Sequence, residues 1–198
     1  MTRSSRRVLA LAGVLASAVL AGRSLPAQDA EKPKPLHLTA FAVNLSGVGA
    51  ARPQTLQIVI ERWSTDEERK KLLDTLVEKG GDKLIDAVQD IKPRAGFIRT
   101  TSSLGWDIQY AREHELPSGG RRIVFATDRP ISFQEARNST RSSDYEFMVC
   151  EIRLGPDGKG EGKLAGGTKI SWDKEKKAIE IENYGQQPVR LTQVTVDK

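Results

Sequence analysis

Tyr145-Glu-Phe-Met-Val-Cys-Glu-Ile-Arg-Leu154, the turn Gly155-Pro-Asp-Gly-Lys-Gly160 and the run Gly162-Lys-Leu-Ala-Gly-Gly-Thr-Lys-Ile-Ser-Trp172 decide the fold. Met148, Cys150, Ile152 and Leu154 alternate with Glu151 and Arg153, the period of a strand with one face buried. Pro and three Gly in the six-residue turn supply the chemistry of a hairpin. The pair therefore predicts two antiparallel strands.

The same signal repeats on both sides. Leu36–Leu45, Thr55–Trp63, Ala95–Thr101, Gly105–Glu115 and Arg121–Thr127 have strand composition, and the last two flank the turn Pro117-Ser-Gly-Gly120. Ala178–Glu182 and Val189–Val196 form a last hairpin. One stretch differs. Ser64-Thr-Asp-Glu67 matches the capping-box pattern that opens a helix. Leu72, Leu73, Leu76 and Val77 then fall on one helical face, and Gly80-Gly81 ends it. Leu84, Ile85 and Val88 mark a second helix that closes before Pro93. Short loops between successive strands favour antiparallel pairing. The expected class is α+β, mainly antiparallel β. About nine strands form a barrel or a sandwich, with a helical pair at about 64–91 covering an open end or a face.

The start of the chain reads differently. Arg3, Arg6 and Arg7 precede an uncharged run, Val8–Gly22, and a small-residue exit at Leu25-Pro26-Ala27. This is the form of a secretory signal peptide, with cleavage expected after Ala27. The run is shorter than the ~20 residues of a spanning helix, so no transmembrane span is expected after signal removal. Arg6-Arg7 also fits a twin-arginine route, the alternative to general secretion. Residues 28–35 read as a leader, and 36–198 as one domain.

Export changes the charge account. The 198 residues carry 31 Lys+Arg and 26 Asp+Glu, a net charge of +5. Arg3, Arg6, Arg7 and Arg23 lie in residues 1–27, so the remainder has 27 basic and 26 acidic residues. A net charge of +1 without a long basic block argues against a nucleic-acid partner. With 38% hydrophobic and 29% charged residues, the chain is neither a disordered tail nor a multi-span membrane protein. Cys150 is the only cysteine, so no intramolecular disulfide forms.

No G-x-S-x-G, P-loop, H-E-x-x-H or C-x-x-C motif occurs, and no cofactor is expected. Glu113 and Glu115 flank His114 but alternate to the opposite face, which disfavours a metal site there. Asp157 and Glu161 do not complete a calcium loop. Cys150 reads as a small buried hydrophobe. In strand phase Trp106, Ile108, Tyr110, Arg112 and His114 share a face, and His37 shares one with Phe41. If these faces look inward, they line a small-ligand pocket. Residues 128–144 are the longest irregular stretch and carry Arg129, Arg137 and Arg141, suited to gripping an anionic or sugar ligand. The candidate ligand-binding residues are thus Trp106, Tyr110, Arg112, His114, Arg129, Arg137 and Arg141.

Four segments, Ile60–Glu68, Gly96–Gly105, Arg121–Pro130 and Glu182–Arg190, resemble a family of exported soil-bacterial proteins without an assigned activity. The resemblance spans most of the mature chain. It implies export and a single domain and carries over no functional residue. Two expectations follow. One is a non-enzymatic binding domain for a small molecule, a glycan or an envelope partner. The other is a hydrolase or isomerase with a dispersed set, drawing on His37, His114, Asp128 and nearby arginines, which needs an imidazole and a carboxylate within hydrogen-bond reach.

Overall fold

The computed structural model describes residues 34–43, 53–129, 146–183 and 187–197. The expected signal peptide, most of the leader and most of the 128–144 stretch lie outside these described residues. The elements run β1 (Leu36–Val43), β2 (Gln54–Ile60), α1 (Asp66–Lys79), α2 (Gly81–Gln89), β3 (Gly96–Thr100), β4 (Trp106–Glu115), β5 (Arg121–Thr127), β6 (Phe147–Leu154), β7 (Lys159–Asp173), β8 (Ala178–Asn183) and β9 (Val189–Val196).

Each strand from β1 to β6 pairs antiparallel with the next. The hairpin quoted first closes the ring. β6 pairs with β7, β7 with β9, and β9 with β1, giving a closed eight-stranded barrel. β8 is a ninth strand attached, among the described residues, to β7 alone. The sandwich alternative is thereby removed.

An eight-stranded barrel has an interior just wide enough for side chains to fill. Here Leu38, Ile58, Ile98, Ile108, Ile123, Phe125, Met148, Ile152, Leu164 and Leu191 fill it, each at most 1% exposed. Ala40, Ala42 and Ala111 sit among these larger chains, as close packing of a narrow interior requires.

β7 is fifteen residues long because it serves two partners. Its first half lies between β6 and β9; beyond Thr168 it leaves the barrel and pairs with β8. The register slips by one residue where Phe147 to Val149 faces Thr168 to Ala165. Gly166 and Gly167 lie in this bulge, where a strand bends most readily. Thr168 is buried at the departure point, its Oγ1 donating to the Phe147 carbonyl (3.1 Å).

The helical pair packs on an outer face of the barrel, not on an open end. Leu76, Leu84, Ile85 and Val88 bury against Phe147, with Val149, Ile170 and Trp172 beside them. α1 ends at Gly80, whose φ of 83° suits glycine. Gly81 starts α2 against the backbone of β7, where a Cβ would collide with the Ile170 carbonyl.

The capping box sits one residue later than Ser64–Glu67. Thr65 is the N-cap: its Oγ1 accepts from the Glu68 N–H (3.2 Å), and Glu68 accepts from the Thr65 N–H (2.9 Å). The shift has a tertiary cause. Ser64 is buried and committed to β4, its N–H donating to the Ala111 carbonyl (2.8 Å) and its Oγ accepting from the Ala111 N–H (3.1 Å). Glu68 also takes a two-pronged ion pair from Arg62, at 2.9 and 3.0 Å, while Arg62 Nε donates to the Pro93 carbonyl (2.8 Å). This ties strand exit, helix start and the chain after α2 together. Among the described residues, no helix is long and apolar enough to cross a membrane.

The Arg62 hydrogen bonds hold the Glu68 carboxyl below its ordinary pKa. A depressed folded-state pKa adds stability above the unfolded value of about 4.3, and that stability is lost as pH falls through the lower folded value. Glu68→Gln keeps an acceptor for the cap and removes the charge. It is expected to lower the unfolding free energy at pH 7 by about 1–3 kcal/mol. In urea titrations from pH 7 to 3, the variant should lose less stability than the parent below pH 5. Parallel curves would show that the pair contributes nothing.

Candidate binding groove

The barrel wall that the helices cover is not covered completely. β4, β5 and β6 present Tyr110, Val124, Ala126, Phe147 and Val149 outward, and α1 faces them with Leu72, Leu73 and Leu76. The β7 extension and β8 close the third side with Ile170, Ile179 and Ile181. These walls enclose a groove of about 220 Å³. Among the described residues its lining is apolar nearly throughout, with Arg69 of α1 and the Tyr110 phenol as its polar groups. Ile179 and Ile181 remain 51% and 52% exposed. On a strand whose other face carries Glu180 and Glu182, apolar side chains this open to water mark a surface that gains by being covered.

β4 explains why Tyr110 stands here. The register slips between Ile108 and Tyr110, so Gln109 is an extra residue opposite β5. The bulge splits the face that alternation puts together. Trp106 and Ile108 keep the inward phase: Trp106 packs on the barrel core and Ile108 is fully buried. Beyond the bulge Ala111 points inward, and Tyr110, Arg112 and His114 point outward. The expected common inward face of these residues is therefore corrected: strict alternation holds only while both partners contribute one residue per step. Gln109 itself is buried, and its Oε1 has no partner among the described residues.

The other expected residues disperse. Arg112 donates to the Ser64 carbonyl (3.1 Å) and to Asp66 Oδ1 (2.8 Å), bracing the start of α1 against β4. It borders a second cleft of about 370 Å³ with Trp63, Ser64, Glu113, Glu115 and Arg121. Charges there are largely matched internally, since Arg121 pairs with Glu113 at 2.9 Å and Arg112 with Asp66. Arg129 is exposed, 3.7 Å from Asp128, and its carbonyl accepts from Thr127 Oγ1 (2.6 Å). Arg137 and Arg141 lie outside the described residues.

The imidazoles do not meet. His37 is exposed on β1 and His114 is exposed on β4, with β2 and β3 between those strands. Among the described residues, neither imidazole hydrogen-bonds to a carboxylate, and no group of three His, Cys, Asp or Glu is placed to hold a metal ion. The inward pocket of two imidazoles does not form, because Leu38, Ala40 and Ala42 occupy the inward phase of β1.

Elsewhere the outer wall is an ionic lattice. Arg94 grips Glu61 with two nitrogens (2.8 and 3.1 Å) and Asp107 with a third (2.7 Å), and stands 5.1 Å from the Phe97 ring centre. Arg122 and Arg153 share Glu151. Against this surface the lateral groove is distinct in lacking matched charges along its walls.

Fold and groove together define the class: a small closed β-barrel with a solid core and an apolar groove on its flank. Comparison with models of known families, with curated proteins and with solved structures returns no match.

Cys150 lies within the barrel at 0% exposure, and burial pushes its thiol far above the ordinary range. It is expected not to react with a thiol reagent such as DTNB in the native state and to react fully in denaturant. Cys150→Ser, which buries a hydroxyl in an apolar interior, should cost about 1–3 kcal/mol in urea unfolding. Rapid native labelling would contradict the closed interior.

Proposed function

We propose that this chain is an exported, non-enzymatic binding domain that takes a small apolar molecule in the lateral groove. The groove carries this reading: some 220 Å³ between three walls of aliphatic and aromatic side chains, with two half-exposed isoleucines at its edge. Binding an apolar molecule there removes that surface from water, and each fully buried side chain of this kind contributes about 1.5–3 kcal/mol.

Among the three expected ligand classes the lining favours the small molecule. A glycan placed against it would leave many hydroxyls without partners, each at a desolvation cost of about 1–3 kcal/mol. Export rests on the first 27 residues, with their basic start, apolar run and small-residue exit, and on the near-neutral charge of the remainder. The resemblance of four segments to exported soil-bacterial proteins supports the same compartment. The hydrolase or isomerase alternative loses its support in the separation of His37 and His114.

A neutral naphthalene probe, N-phenyl-1-naphthylamine, is expected to gain fluorescence with the full chain and to reach saturation. Replacing both edge residues, Ile179→Glu and Ile181→Glu, should weaken it by about tenfold, the equivalent of ~1.4 kcal/mol of lost apolar contact. Circular dichroism should be unchanged, because both side chains are half in water already. Absence of saturable binding by the parent, or equal binding by the variant, would overturn the groove as the site.

A further inference from the structure

Among the described residues Arg69 is the one cation on the groove's lining, and none of them neutralises its charge. On α1 only positions 65, 66, 72 and 73 lie one turn away, and they are Thr, Asp, Leu and Leu. Asp66 is taken by Arg112 at 2.8 Å. Glu68, next in sequence, is held by Arg62. Lys70, beside Arg69, has its own partner in Asp74. Thus Asp66, Glu68 and Asp74 are each engaged by another cation. Among the described residues Arg69 makes no ion pair, although it borders an apolar surface.

Tyr110 adds the second polar group. Its ring is half-buried in the groove wall, and burial raises the phenol above its ordinary pKa, so it stays a neutral donor at physiological pH. The charges of Arg112 and Arg69 both act on that phenol, as do those of Asp66 and Glu68, the carboxylates that Arg112 and Arg62 engage. Among the described residues the Tyr110 hydroxyl makes no hydrogen bond. A guanidinium and a phenol O–H thus both line an otherwise apolar groove, with no acceptor for either among the described residues. A guanidinium offers two parallel N–H donors, which match a carboxylate best.

We propose that the groove takes a carboxylate-headed amphiphile, its apolar tail along Leu72, Val124, Val149 and Ile181 and its carboxylate against Arg69 and Tyr110. This rests on the groove being a small-molecule site and names the ligand's class. The head group bears one negative charge and accepts from Arg69 and from the Tyr110 hydroxyl. The tail is linear or aromatic and unsubstituted by polar groups.

The test uses two ligands with the same tail, octanoate and octanol, each displacing the neutral naphthalene probe from the full chain. In Arg69→Gln, octanoate affinity should fall about fivefold while octanol affinity stays as in the parent. Arg69→Lys should recover part of the octanoate affinity, and Tyr110→Phe should weaken octanoate by about threefold and leave octanol unchanged. Arg69 is exposed and Tyr110→Phe removes only a hydroxyl, so these variants are expected to fold as the parent does, with circular dichroism as the check. An equal fall for both ligands would make Arg69 a packing residue and overturn the carboxylate assignment, leaving the apolar site standing. Failure of octanoate, octanol and probe alike would overturn the site itself. If the probe binds only after Ile131→Ser and Phe133→Ser, apolar residues of the 128–144 stretch outside the described residues, the chain competes for its own groove. If the parent sediments as a dimer that Ile179→Glu with Ile181→Glu converts to a monomer, and octanoate does not, a second copy does so. Either result overturns both readings.

Discussion

The double pairing of β7 is the constraint on which the other features depend. A barrel of eight strands closes only if the sixth strand finds a partner on its free edge, and β7 supplies it through residues 160–168. The same strand pairs with β9 over 159–164 and then departs to hold β8. Without the departure at Thr168 there is no third wall for the groove and no backbone for Gly81 to approach. The helical pair would then rest on the convex barrel alone. Closure also removes free edges along the ring, and among the described residues β8 alone has a single partner.

A second constraint is local. One extra residue in β4, Gln109, turns Tyr110 from the core to the surface while Ile108 and Ala111 both stay buried. A barrel interior this narrow has no space for a tyrosine as well as Phe125 and Met148. The bulge therefore serves the core and the groove at once. It keeps β4's inward positions small or aliphatic and places an aromatic ring beneath the helices.

Strand number, the antiparallel pairing and the helical insertion were legible in the chain because each is written locally, in alternation, turn residues and helical periodicity. β5 and β9 begin and end where their patterns do. What escaped was set by partners distant in sequence. Ser64 satisfies the helix-cap pattern as well as Thr65 does, but only the position of Ala111, forty-seven residues later, decides between them. The phase of Tyr110, Arg112 and His114 depends on β5 contributing one residue where β4 contributes two. The groove was illegible for the same reason. Leu72, Val124, Val149, Ile170 and Ile181 each belong to a different element, and no spacing rule connects them. One sign was present. Leu72, Leu73, Leu76 and Val77 make a wider apolar face than a short helix buries, and Val77 ends 40% exposed. The lack of a partner for Arg69 was not legible, because Asp66, a turn away, is taken by Arg112 of β4.

Strand alternation also separates two jobs. Met148, Cys150 and Ile152 belong to the barrel core, while Phe147 and Val149, interleaved with them, belong to the cluster beneath the helices. No side chain is shared between the two clusters. Substitutions along the groove therefore leave the close-packed interior intact, and the interior's intolerance of volume change places no restriction on the groove's shape. A lineage carrying this barrel is free to reshape the groove by drift at a handful of outward positions, with the folding core inherited unchanged.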